Sequence, residues 1–111
     1  MSETVTFATC KDRRQAAAIA KTLVREKLAA CVNLVPNVSS IYSWKGKIEE
    51  GREVLLVIKS RAAHSKRLAA RIRQLHSYEV PEIIALPVVD GSEAYLGWLE
   101  HELKEGGEKL G

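Results

Sequence analysis

Polar and apolar residues alternate over residues 4–10, with Val5 and Phe7 on one side and Thr4, Thr6 and Ala8 on the other. That is the period of a strand with two unlike faces. Asp12 with Gln15 three places on resembles a capping box, and Ala16, Ile19, Ala20, Leu23, Val24 and Leu28 then recur at helical spacing. The stretch AACVNLVPNVSSIYSWKGKIEEGREVLLVIKS is rich in Val and Ile, with Tyr and Trp, and Lys45-Gly46 offers a reversal, so it predicts a long hairpin. Pro36 cannot donate a ladder hydrogen bond and places its arm at a sheet edge or at a bulge. Residues 54–58 are apolar at every position, as in a central strand covered on both faces. Leu68, Ile72 and Leu75 predict a second helix over residues 63–76. Pro81 holds residues 79–80 extended, a fourth strand is expected over 83–89, and Gly91-Ser92 opens a last helix. That helix has Tyr95, Leu96, Leu99 and Leu103 on its apolar face and Gly106-Gly107 as its stop.

Strand, helix, strand, strand, helix, strand and an extra helix make an α+β chain of the ferredoxin-like βαββαβ kind, an antiparallel sheet with helices on one face. Right-handed crossovers give the spatial order fourth, first, third, second. Cys10, Glu53, His76 and Glu82 then share one end of the sheet. Cys31 belongs to the other end, beyond the reach of a disulfide to Cys10.

Composition changes this picture little. The chain has 111 residues, 46% of them hydrophobic, which fits one domain over residues 1–111. No apolar segment suits a signal peptide or membrane span, and two widely spaced cysteines fit reduced thiols, so the expected compartment is cytoplasmic. Net charge is +3 and aromatics make up 5%, so nucleic acid is not an expected partner. Arg61, Lys66, Arg67, Arg71 and Arg73 read as a solvated helix face.

Four phrases carry a resemblance: REKLAACVNLVP, SIYSWKGKIEEGREVLLVIKS, LHSYEVPEIIALPV and YLGWL, in that order. Together they resemble the CutA family of divalent-ion tolerance proteins, nearly from end to end. The resemblance implies a ferredoxin-like subunit in a homotrimer, cytoplasmic in bacteria, tied to divalent-metal tolerance and to copper binding. It also implies a likeness to the PII signalling trimers, which bind small effectors between subunits and contact protein partners. In the family the proposed metal site uses a cysteine and adjacent histidines. Here those positions hold Ala8 and Leu75, with His76 remaining and Ser77 where the family has proline.

The expected metal ligands for copper or another divalent cation are therefore His76, Cys10 and Glu82. Each has a plainer alternative: His76 bonding the last carbonyls of its helix, Cys10 as a small buried hydrophobe, Glu82 in an ion pair. Glu79 and Glu82, three apart in an extended segment, are expected on opposite sides. Tyr42, Trp44, Glu53, Lys59, Tyr78 and Glu79 are expected at the trimer cleft or interface, and the hairpin carrying Ile41, Tyr42 and Trp44 supplies a reason to associate. No phosphate loop, activated nucleophile or zinc spacing points to an enzyme. The alternative is a PII-like module holding a small anionic effector with Lys59 or Arg61.

Overall fold

The computed structural model describes residues 2–104, so Gly106-Gly107 lies outside the described residues. The elements are β1 (Glu3–Cys10), α1 (Arg13–Arg25), β2 (Cys31–Trp44), β3 (Lys47–Arg61), a 3-10 turn (Ala62–His64), α2 (Ser65–Leu75), β4 (Ile84–Pro87) and α3 (Glu93–Leu103). Helix α1 starts where the cap predicts. Asp12 is extended, and its Oδ1 accepts from the Gln15 N–H at 2.9 Å, satisfying one otherwise free donor. The helix ends as Lys27 takes a left-handed φ of 61°, which lets the N–H groups of Leu28 and Ala29 turn back to the Leu23 carbonyl. Val24 departs from expectation: it is exposed, lining an open groove between α1 and β2 together with Val32 and Leu34.

The hairpin reverses at Lys45-Gly46, where φ values of 50° and 82° make the left-handed two-residue turn that matches strand twist. Its pairing runs from Cys31↔Lys59 to Trp44↔Lys47 and is interrupted between Val35 and Val38. The interruption contains Pro36, which lacks the N–H, and Asn37 at φ 61°. Sheet order is β2-β3-β1-β4, antiparallel throughout, as the connectivity predicts. With arms of 14 and 15 residues the hairpin stretches the molecule to 52 × 27 × 22 Å.

Three expected boundaries move. Helix α2 begins only after the 3-10 turn and ends at Leu75, leaving His76 extended (φ −88°, ψ 147°) instead of in the last helical turn. Residues 78–80 are a run of bends, so the segment before Pro81 is not straight. Strand β4 spans four residues, not seven, since Pro87 cannot donate; one further bond, Val88 N–H to the Glu3 carbonyl at 3.0 Å, follows it.

The core lies between the sheet and two helices. Ala8 and Cys10 of β1, with Leu56 and Ile58 of β3, meet Ile19 and Leu23 of α1 and Leu68 and Ile72 of α2. Antiparallel register puts Val5, Phe7, Leu55 and Val57 on the other face, with Ile84 and Leu86 beside them. That face is expected to be covered, yet in the single chain the first four are half-buried and Ile84 and Leu86 are 52% and 45% exposed. Helix α3 docks at the far end, its Leu99 and Leu103 against Ala30. Ser92 caps it, accepting from the Tyr95 N–H, and Arg61 reaches Glu100 at 3.3 Å.

Candidate functional site

Strand β1 ends at Cys10, and opposite residues on its last turn of pleat serve two sides of the sheet. Cys10 points into the core beside Ala8, both fully buried. Thr9 points the other way and lines a cleft of about 520 Å³. The hairpin provides one wall with Ser40, Ile41, Tyr42 and Trp44, and the bent segment after α2 provides the other with Tyr78, Glu79, Val80 and Glu82. Glu53 stands between them, paired with Val38 at the base of the projecting hairpin.

His76 organises the second wall without facing into the cleft. Its Nε2 lies 2.6 Å from the Thr9 carbonyl, which can only accept, so Nε2 carries the proton. Its Nδ1 then accepts from the Tyr78 N–H at 3.1 Å. The ring also leans on Tyr78, centroids 4.6 Å apart at 48°. Tyr78 in turn donates its hydroxyl to Glu53 Oε2 at 2.7 Å, joining the two walls. Burial, and then the Glu53 carboxylate, hold the Tyr78 phenol far above its usual pKa, so it acts as a donor at all ordinary pH.

The expected metal set is not assembled. In this geometry both imidazole nitrogens of His76 are engaged, leaving no lone pair for a cation. Cys10 faces the opposite side of the strand, and burial, with Glu53 and Asp12 adding, pushes its thiol up to about 11, away from the thiolate a metal needs. Only Glu82 of the three lines the cleft. Among the described residues no group of three or more His, Cys, Asp or Glu could hold a metal ion.

Glu79 and Glu82 were expected on opposite sides, but the bends bring both to one cleft. Tyr42, Trp44, Glu53, Tyr78 and Glu79 all line it. Lys59 does not: it contacts Asn33 Oδ1 and lies six residues along β3 from Glu53, about 20 Å at strand rise. Arg61 is farther still and pairs with Glu100. The cleft therefore carries three carboxylates, with no Lys or Arg among its described lining residues. Of the other expected basic residues, Arg71 binds Glu26 through two 2.9 Å bonds and Arg67 meets His64 Nδ1 at 3.2 Å.

Sequence reading missed Thr9, Ser40 and Val80, and had Ile41 only as part of the protruding hairpin. Thr9 and Ser40 carry a usable signal: each shares strand parity with a residue already singled out, Thr9 with its partner Leu55 on the Glu53 face and Ser40 with Tyr42. Val80 does not, because it enters through the bends at 78–80.

A family model described as CutA1 divalent ion tolerance protein matches residues 4–102. The chain belongs to this family. The mouse protein CutA is 47% identical over 104 residues, covering 94% of this chain and 58% of that protein. The divalent-cation tolerance protein CutA of Thermus thermophilus is 46% identical over 97 residues, 87% of this chain and 94% of that one. This chain thus spans little more than half the length of its mouse relative and nearly all of the bacterial one. The crystal structure of CutA from Xylella fastidiosa superposes with a TM-score of 0.91 at 40% identity, covering 94% of this chain and all of that one. Relatives are described variously as chloroplastic and periplasmic, so membership alone assigns no compartment. Among the described residues no helix is long and apolar enough to cross a membrane.

Proposed function

We propose that this chain serves divalent-cation tolerance as a non-enzymatic, cytoplasmic homotrimer, and that the acidic cleft beside Thr9 takes a cation at the junction between subunits. The observation that carries the reading is the lining itself: Glu53, Glu79 and Glu82 all line the cleft, without a basic residue among the described lining. Such a cleft attracts positive charge and repels an anionic effector. Association is supported by the uncovered apolar face of Val5, Phe7, Leu55, Val57, Ile84 and Leu86.

For copper or another divalent cation, the donors on offer within one chain are carboxylate oxygens of Glu53, Glu79 and Glu82, not thiolate, imidazole or the protonated Tyr78 phenol, and a neighbouring subunit would have to complete the set. Calorimetry with Cu2+ on protein whose mass is fixed by light scattering tests this. Affinity should fall in Glu82→Gln and persist in Cys10→Ala; an unchanged affinity in Glu53→Gln and Glu82→Gln removes the cleft as the site. Cell fractionation tests the compartment.

A further inference from the structure

A bare metal ion leaves most of this cleft unexplained. A cation cage needs several donors converging at about 2.0–2.6 Å, and no such group exists among the described residues. Glu53 Oε2 is already engaged by Tyr78, and about 520 Å³ is the size of a small-molecule pocket rather than an ion site. Three aromatic side chains, Tyr42, Trp44 and Tyr78, line the space together with the carboxylates. Aromatic faces attract ammonium groups through the ring quadrupole, and nearby carboxylates supply the counter-charge.

The molecule contains an instance of the same contact. Lys45 Nζ lies over the Trp44 ring, 5.5 Å from its centroid, so this indole already carries one ammonium of the chain's own, and a bound amine would have to use the part of Trp44 that lines the cleft. Trp44 and Tyr42 alternate on one side of β2, and Glu53 follows from the same register on β3. An amine lying along that side would meet aromatic surface with its carbon skeleton and carboxylate at the Glu53 end, while Lys47 is paired with Trp44 at the other end.

Resting on the reading that this cleft is the binding place, we infer that it takes a free organic ammonium ion, its apolar skeleton laid on Tyr42 and Trp44 and its charge met by Glu53, Glu79 and Glu82. A polyamine or a quaternary amine has the required chemistry.

The test uses the full chain, its assembly checked by light scattering. Trp98→Phe leaves Trp44 as the single indole, since the chain has two tryptophans. Spermidine and choline are titrated against its emission and by calorimetry, with Cu2+ titrated in parallel. A saturable change with spermidine or choline is expected, with affinity about tenfold weaker in Glu82→Gln, measured by emission. A comparable loss should appear by calorimetry in Trp44→Leu, and Trp44→Phe should recover part of it. Circular dichroism confirms that each variant is folded. Amine binding indifferent to Trp44→Leu overturns the inference, as nonspecific charge attraction would give that result. Cu2+ binding at the cleft without amine binding overturns it too while leaving the proposed function standing; binding of neither brings down both.

Discussion

Thr9 and Cys10 sit side by side yet belong to different environments, and this one-residue alternation decides the chemistry available at the end of β1. Cys10 is sealed in the core with its thiol pushed up to about 11 from an ordinary 9.0. A raised value means that the fold favours the protonated thiol. Its contribution is complete below pH 9 and is lost as pH rises through 11, on the order of 2–3 kcal/mol. The melting temperature should therefore fall between pH 9 and 11 more steeply in wild type than in Cys10→Ala. His76 is a second case of a residue whose type was legible and whose role was not. The segment 75–83 announces a histidine among carboxylates, but its ring is spent on the Thr9 carbonyl and the Tyr78 N–H. Losing it leaves a half-buried N–H without its partner, so His76→Ala should cost about 1–3 kcal/mol in chemical denaturation, even if cation affinity is unchanged.

At the scale of elements, α1 and the hairpin follow local rules. Asp12→Ala removes the acceptor of the Gln15 N–H and should destabilise by about 1 kcal/mol, read as a lower thermal midpoint at fixed protein concentration. Gly46 holds φ 82°, with open space where a Cβ would be. Gly46→Ala should therefore cost about 1 kcal/mol through backbone strain alone, without crowding. A midpoint equal to wild type would show that the turn relaxes. These elements were legible because caps, reversals and periodicity are short-range. The shortened β4 and the bends at 78–80 were not, because no local signal states how a chain is pulled between the end of α2 and the edge of β1. The same bends turn Glu79 and Glu82 toward one cleft, overriding the extended geometry that sequence spacing assumes.

On the scale of the whole molecule, the sheet has one face under two helices and another with apolar side chains still in contact with water. Residues 54–58 read as a strand buried on both sides, and a single chain buries only Val54, Leu56 and Ile58. The remaining half of that pattern is intelligible if neighbouring copies cover Leu55 and Val57. If the chain assembles as the proposed trimer, Val57→Glu should lower the mass found by light scattering toward that of the monomer, because a carboxylate cannot be buried there without a partner. A mass unchanged from wild type would mean that this face is not an interface between copies.

By itself the sequence determined the order of elements, the strand order, the hairpin turn, an edge or bulge at Pro36 and the family. Each follows from periodicity, turn chemistry, crossover handedness or motifs that survive without coordinates. It also marked Tyr42, Trp44, Glu53, Tyr78, Glu79 and Glu82, which the cleft gathers together. Only the tertiary structure decided that Cys10 is sealed away, that both nitrogens of His76 are engaged, and that Lys59 and Arg61 lie far from the acidic cleft. Those outcomes depend on strand parity, on bends and on hydrogen bonds between residues as distant as Thr9 and His76. A one-dimensional pattern identifies candidate groups, whereas the direction of a lone pair or thiol is fixed by the long-range contacts around it.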